Sequence, residues 1–104
     1  MIDFKNLNKI RFHNRNETTK HLVAKTLVTK ILVDKKYYVY TEHLFKKGRV
    51  ADVFAFKKDE VFIVELESLR STKKPFENFP VITIYLDDLP DDIGGMYEKL
   101  NSII

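Results

Sequence analysis

Residues 48–67 read GRVADVFAFKKDEVFIVELE. β-Branched and aromatic side chains dominate both halves of this run and alternate along it, so 48–57 and 61–67 are predicted strands. The polar stretch 57–60 between them is short enough for an antiparallel hairpin. Alternation groups Asp52 with Val50, Phe54 and Phe56, and groups Glu65 and Glu67 with Val61 and Ile63. Acids in such company require compensation. An ionised carboxylate buried without a partner costs several kcal/mol, comparable to the whole stability of a small domain, about 5–15 kcal/mol. A divalent cation compensates two or three carboxylates at once, and oxygen donors suit Mg2+ or Mn2+. Side chains two apart on a strand start about 7 Å from each other. Glu65 and Glu67 can therefore converge on one ion, with Asp52 delivered from the neighbouring strand. The competing reading leaves Glu65 and Glu67 at the solvated end of their strand, paired with Arg49 or Arg70.

Working outward, residues 17–34 carry Val23, Ala24, Leu27, Ile31 and Leu32 at three- and four-residue steps, with Val28 widening the stripe. This is the pattern of a helix with one broad buried face. Asn16 can cap it, and Glu17 suits the positive end of its dipole. Glu17, His21 and Lys25 fall on one line of that helix, four residues apart, and the competing reading of the line is a solvated face. Residues 37–42 form a first strand, and Lys46-Lys47-Gly48 turns it into the second. Residues 68–80 contain Lys73, Lys74, Pro75 and Pro80, leaving room for one or two helical turns. The apolar run 81–86 is predicted as a strand buried on both faces. Asp87 to Asp92 supply caps and acids for a last helix reaching about Ile103. Gly94 and Gly95 each cost that helix about 1 kcal/mol, which implies a close packing contact or a later start. The fold class is therefore α/β: a helix, a three-strand meander, a short connection, a buried strand and a helix.

The 104 residues suffice for a single domain, 1–104, and one core. No window holds the roughly 20 apolar residues that cross a bilayer, and the first ten residues alternate apolar side chains with Lys and Asn, so the expectation is a cytoplasmic protein with no membrane partner. Absence of cysteine excludes disulfides, thiolate metal sites and a cysteine nucleophile. Residues 1–50 hold twelve Lys/Arg against four Asp/Glu, whereas 51–104 hold six against eleven. A basic half can neutralise phosphates and an acidic half can hold cations; the competing reading is a charged surface that maintains solubility.

Glu17-x-x-x-His21-x-x-x-Lys25 on a first helix, Thr41-Glu42 closing a first strand, Arg49-Val50-Ala51-Asp52-Val53 on a second and Val64-Glu65-Leu66-Glu67 ending a third resemble the PD-(D/E)xK, or restriction-endonuclease-like, superfamily. The likeness spans about residues 16–68 and is nearest to competence-protein-like nucleases, with a more distant similarity to archaeal Holliday-junction resolvases. It implies an αβββαβ core and a DNA nuclease. Asp52 and Glu65 then take the place of metal ligands. Glu67 stands where the family usually has its catalytic lysine. Glu17 matches the helix acid of some branches and Glu42 an acid at the end of the first strand. A glutamate at that lysine position can ligate metal or accept a proton but supplies no positive charge, and Lys25 is the candidate replacement. The long basic helix that normally follows has only residues 68–78 in its place.

The expected activity is Mg2+- or Mn2+-dependent hydrolysis of a DNA phosphodiester, with Asp52, Glu65 and Glu67 at the metal and Glu17 close by. Lys25, Lys46, Lys47 and Arg49 would grip the backbone, and His21 and Glu42 would support from behind. Phosphate contacts carry no sequence information, so recognition by DNA shape or ends is expected. Two rival readings remain. One is an inactive nuclease-like fold that binds DNA or a protein partner. The other makes Tyr37, Tyr38, Tyr40 and Phe45, with the exposed part of the last helix, a homodimer surface.

Overall fold

A computed structural model describes residues 18–45, 48–68, 76 and 78–104. The elements are α1 (Thr19–Asp34), β1 (Tyr38–Leu44), β2 (Val50–Lys57), β3 (Glu60–Glu67), β4 (Val81–Tyr85) and α2 (Ile93–Ile103), with a 3₁₀ turn at Leu86–Asp88. The strands form one mixed sheet in the order β1-β2-β3-β4, antiparallel through β3 and parallel between β3 and β4. The chain is thus α/β, as its periodicities predict.

One face of the sheet carries the core. Val39, Val53, Ala55, Val64, Leu66 and Ile84 pack in one cluster with Ala24, Val28, Ile31 and Leu32 of α1 and with Met96 and Leu100 of α2. Both helices thus lie over the same side of the sheet. The alternate strand positions build a second layer of rings, in which Tyr38, Tyr40, Phe54 and Phe56 contact one another at centroid distances of 5.3–6.4 Å. Phe45 and Phe79 extend that layer. Tyr37 stands apart, meeting Phe62 edge-on and bonding Glu60.

β4 differs from expectation. Among the described residues it is an edge strand, with Thr83 exposed and Ile84 buried, not a strand covered on both faces. An apolar run reads alike in either position, and among those residues only β3 pairs with this one. The cap of α1 also differs. Thr18 accepts from the His21 N–H at 3.1 Å, while Asn16 and Glu17 lie outside the described residues, as do Lys46, Lys47, Arg70 and most of the 68–80 connection. Lys20 ties α1 to the chain ahead of α2, donating to the Leu89 carbonyl and to Asp91, each at 2.9 Å. α2 begins at Ile93 on an Asp92 cap whose carboxylate accepts from Gly95 N–H at 2.6 Å. A Cβ on Gly95 would lie 2.9 Å from both carboxylate oxygens and 3.1 Å from the Pro90 Cβ. The glycine is therefore explained by close packing. Among the described residues, no helix is long and apolar enough to cross a membrane.

α1 ends in a Schellman turn: Tyr37 N–H donates to the Leu32 carbonyl and Lys36 N–H to that of Val33, each at 3.0 Å. The turn needs a left-handed residue, and Lys36 supplies it at φ 74°, where a side chain costs about 1–2 kcal/mol. Lys36→Gly is expected to stabilise the fold by about 0.5–1 kcal/mol, the relief being partly offset by the larger chain entropy of glycine. Urea denaturation checks this; a loss of stability would contradict the strain at this turn.

Candidate metal and phosphate site

β2 and β3 pair regularly from Lys57↔Glu60 to Val53↔Val64 and then part. Asp52 and Glu65 are the next residues on each side of that fork. On its other edge β2 pairs with β1 through Thr41↔Val53 and His43↔Ala51, so Glu42 lies across from Asp52, and beyond β3 Glu65 pairs with Thr83. Glu42, Asp52 and Glu65 consequently occupy one row across three strands.

The fork has a local cause. One Asp52 carboxylate oxygen accepts the Leu66 N–H of β3 at 2.7 Å, so a side chain bridges the two strands where their ladder stops. The other oxygen lies 3.6 Å from His21 Nε2 on α1. Asp52 thus reaches toward the helix and is not simply one of the outward set with Phe54 and Phe56, the β2–β3 ladder having stopped one residue before it. One turn along α1, Lys25 Nζ bonds Glu42 Oε1 at 3.2 Å. Lys25 is only 1% exposed. Its ammonium faces the sheet and not solvent, which sets aside the solvated face for this part of the line and removes Lys25 from the surface that a DNA backbone would touch.

Glu42 meets Lys25 because its backbone is left-handed, φ 49°. Regular alternation would put Glu42 with Tyr40 and turn His43 inward. The reversal turns Glu42 toward the helix and sends His43 into the ring layer, stacked on Phe54 at 5.2 Å and edge-on to Phe45 at 4.7 Å. Glutamate has no special ease in that region; the ion pair and the ring contacts hold it there.

The Asp52 carboxyl is held below its usual value. Burial opposes ionisation, but His21 at 3.6 Å, the neighbouring Glu65 and the bond from Leu66 N–H together outweigh it. Asp52 and Glu65 are therefore close enough to interact directly. Glu67 ends β3 half-buried, opposite Tyr85. Among the described residues, no group of three His, Cys, Asp or Glu side chains is placed to hold a metal ion. Arg49 lies with its guanidinium 4.0 Å over the Phe76 ring, while Glu17, Lys46 and Lys47 are outside the described residues.

No protein-family model, curated protein or solved structure matches this chain. The chemistry of the site rests on its own side chains. Neighbouring carboxylates repel unless a proton, an N–H donor or a cation comes between them. His21 and Glu42, assigned supporting roles from the sequence, each touch a charged partner at the fork. The four-residue spacing of His21 and Lys25 carries a signal for one helix line meeting two strand acids. Nothing local signals the bond between Asp52 and Leu66 N–H.

The lowered value of Asp52 has a definite sign. Its ionised form contributes stability above the unfolded-state value near 3.8, and that contribution is lost as pH falls through the lower folded value. Asp52→Asn is therefore expected to destabilise the protein most above about pH 4, by roughly 1.5–3 kcal/mol, with the gap from wild type closing in more acidic solution. Urea melts across this range read it. A gap that widens as pH falls would reverse the assignment.

Proposed function

We propose that this chain is a metal-dependent DNA nuclease with a restriction-endonuclease-like core, acting in the cytoplasm. The observation that carries the reading is the meeting of Asp52 and Glu65 at the fork, with one helix line bringing His21 to Asp52 and Lys25 to the adjoining Glu42. The order of helix, three-strand meander and parallel fourth strand supports the likeness that the motif residues carry.

The donor set fits a hard cation. Mg2+ binds through one or two carboxylates and keeps several waters, so Asp52 and Glu65 are sufficient, with Glu67 two residues further along β3. A bound Mg2+ or Mn2+ supplies acidified water and offsets charge on the phosphate. The protein's part is to keep the donors ready. Leu66 N–H and His21 fix the Asp52 carboxylate, and burial limits the water competing for it. Glu67 stands in the usual lysine position as a third acid and can accept a proton. Arg49, together with Lys46 and Lys47, would neutralise the DNA backbone, a sequence-independent grip consistent with recognition of shape or ends.

A second reading, a nuclease-like fold that binds DNA or a protein without cutting, is favoured by the lack of an assembled three-ligand group among the described residues. Cleavage assays on duplex, single-stranded and branched DNA with Mg2+ or Mn2+ separate the two. Asp52→Ala and Glu65→Ala are expected to lower the rate by roughly 100-fold or more, the range found when groups acting at the reacting centre are removed. Wild-type activity in both variants would take the fork out of the mechanism, and Mn2+ binding without turnover would favour the second reading. A homodimer is also proposed, through the exposed Ile93, Tyr97 and Ile103 of α2, because Tyr38, Tyr40 and Phe45 of the surface expected from the sequence pack into the ring layer instead. Light scattering is expected to give twice the mass of one chain, and a monomer at high concentration refutes it.

A further inference from the structure

The two edges of the sheet are finished differently. At the β1 edge the left-handed backbone of Glu42 interrupts the strand, and Glu42 and His43 lie within it. A break and a charge of this kind keep an exposed edge from pairing with another chain. β4 reads VITIY, with no charge, proline or left-handed residue inside it. Among the described residues no strand follows it in the sheet. The direction of its backbone groups follows from one bond. The Pro80 carbonyl accepts the Ile63 N–H of β3 at 2.9 Å, and the N–H and C=O groups of a strand change side at each residue. Ile82 and Ile84 therefore turn theirs to β3, whereas Val81 and the exposed Thr83 aim theirs at the outer edge.

We propose that β4 of a second copy of this chain pairs antiparallel with β4 at this edge, with Thr83 on the two-fold axis, so that one sheet runs through both subunits. The occupant is argued from the fit of the edge to itself. In the register centred on Thr83, Val81 meets the second copy's Tyr85, Ile82 meets its Ile84, and the two Thr83 residues exchange N–H···O=C bonds. None of the matched residues is charged. Asp87 and Asp88 fall past the end of the strand, where the second copy brings Asn78, Phe79 and Pro80, so no like charges meet. Ile84 belongs to the core under the helices and Ile82 packs against it, so the isoleucine pair carries that core across the seam. This rests on the homodimer reading above and deepens it by adding backbone bonds to the exposed residues of α2.

Analytical ultracentrifugation of the whole chain over a range of concentrations, with two charge variants, tests this. Thr83→Lys and Thr83→Glu each set like charges face to face on the axis and are expected to weaken the dimer about tenfold or more. An equimolar mixture of the two, in which lysine meets glutamate, should return to within a few-fold of wild type. Such recovery requires residue 83 of one copy to meet residue 83 of the other. Hydrogen exchange of the unsubstituted chain is the second measurement: the Thr83 amide is expected to exchange at least about tenfold more slowly in concentrated than in dilute solution, with a smaller change at Ile82, already bonded to β3. Monomeric wild type at high concentration overturns the homodimer reading, and this proposal with it. A wild-type dimer that both variants form equally well, or variants weakened with no recovery on mixing, overturns the proposal alone. If a variant fails to fold, exchange decides, and a Thr83 rate that is independent of concentration in a dimerising wild type overturns the proposal.

Discussion

Three carboxylates in adjacent positions of one sheet repel each other, and a small domain keeps them there only if cations and N–H donors are brought to meet them. α1 supplies the facing side chains, with His21 beside Asp52 and Lys25 bonded to Glu42, and the Leu66 N–H of β3 supplies a backbone donor. The rest of the arrangement follows from this constraint. α1 must dock with its Ala24, Val28 and Ile31 stripe on the sheet, and the same docking angle delivers His21 and Lys25. β2 and β3 must separate where they do because the Asp52 side chain bridges the gap.

The constraint is satisfied at a cost elsewhere. Glu42 sits in a backbone region that glutamate rarely adopts, and removing either member of its ion pair would leave the other charge buried, a change worth about 3–5 kcal/mol in comparable cases. Part of the compensation lies on the opposite side of the sheet, where the reversal at Glu42 places His43 among Tyr40, Phe45 and Phe54. One backbone angle thus links the ring layer to the ion pair beneath α1. Local strain and long-range packing are two views of one device.

Much of this was legible in the residues. The two helices, the meander and the fourth strand follow from changes of hydrophobic period, which are local properties. Asp52 and Glu65 stand out because acids are foreign to such strands, and they do come together. What was not legible depended on contacts between distant segments. Whether Val81 to Tyr85 is central or at an edge depends on which strands pair with it, and the same apolar run serves both. The inward turn of Lys25 depends on how α1 docks. The left-handed Glu42 runs against its own propensity, so only its surroundings could select it.

The hairpin architecture of β1, β2 and β3 also bears on how the chain acquires its form. The fork, the acid row and both helix partners all lie between Thr19 and Glu67, and the contacts that join them span 14 residues from Asp52 to Leu66, 17 from Lys25 to Glu42 and 31 from His21 to Asp52. Closing loops this short forfeits little chain entropy, and near-neighbour pairings form quickly. β4 must instead return from across a connection to lie parallel to β3. As the polypeptide emerges during synthesis, every residue of its charged centre therefore precedes the final strand and helix, whose Ile84, Met96 and Leu100 complete the core.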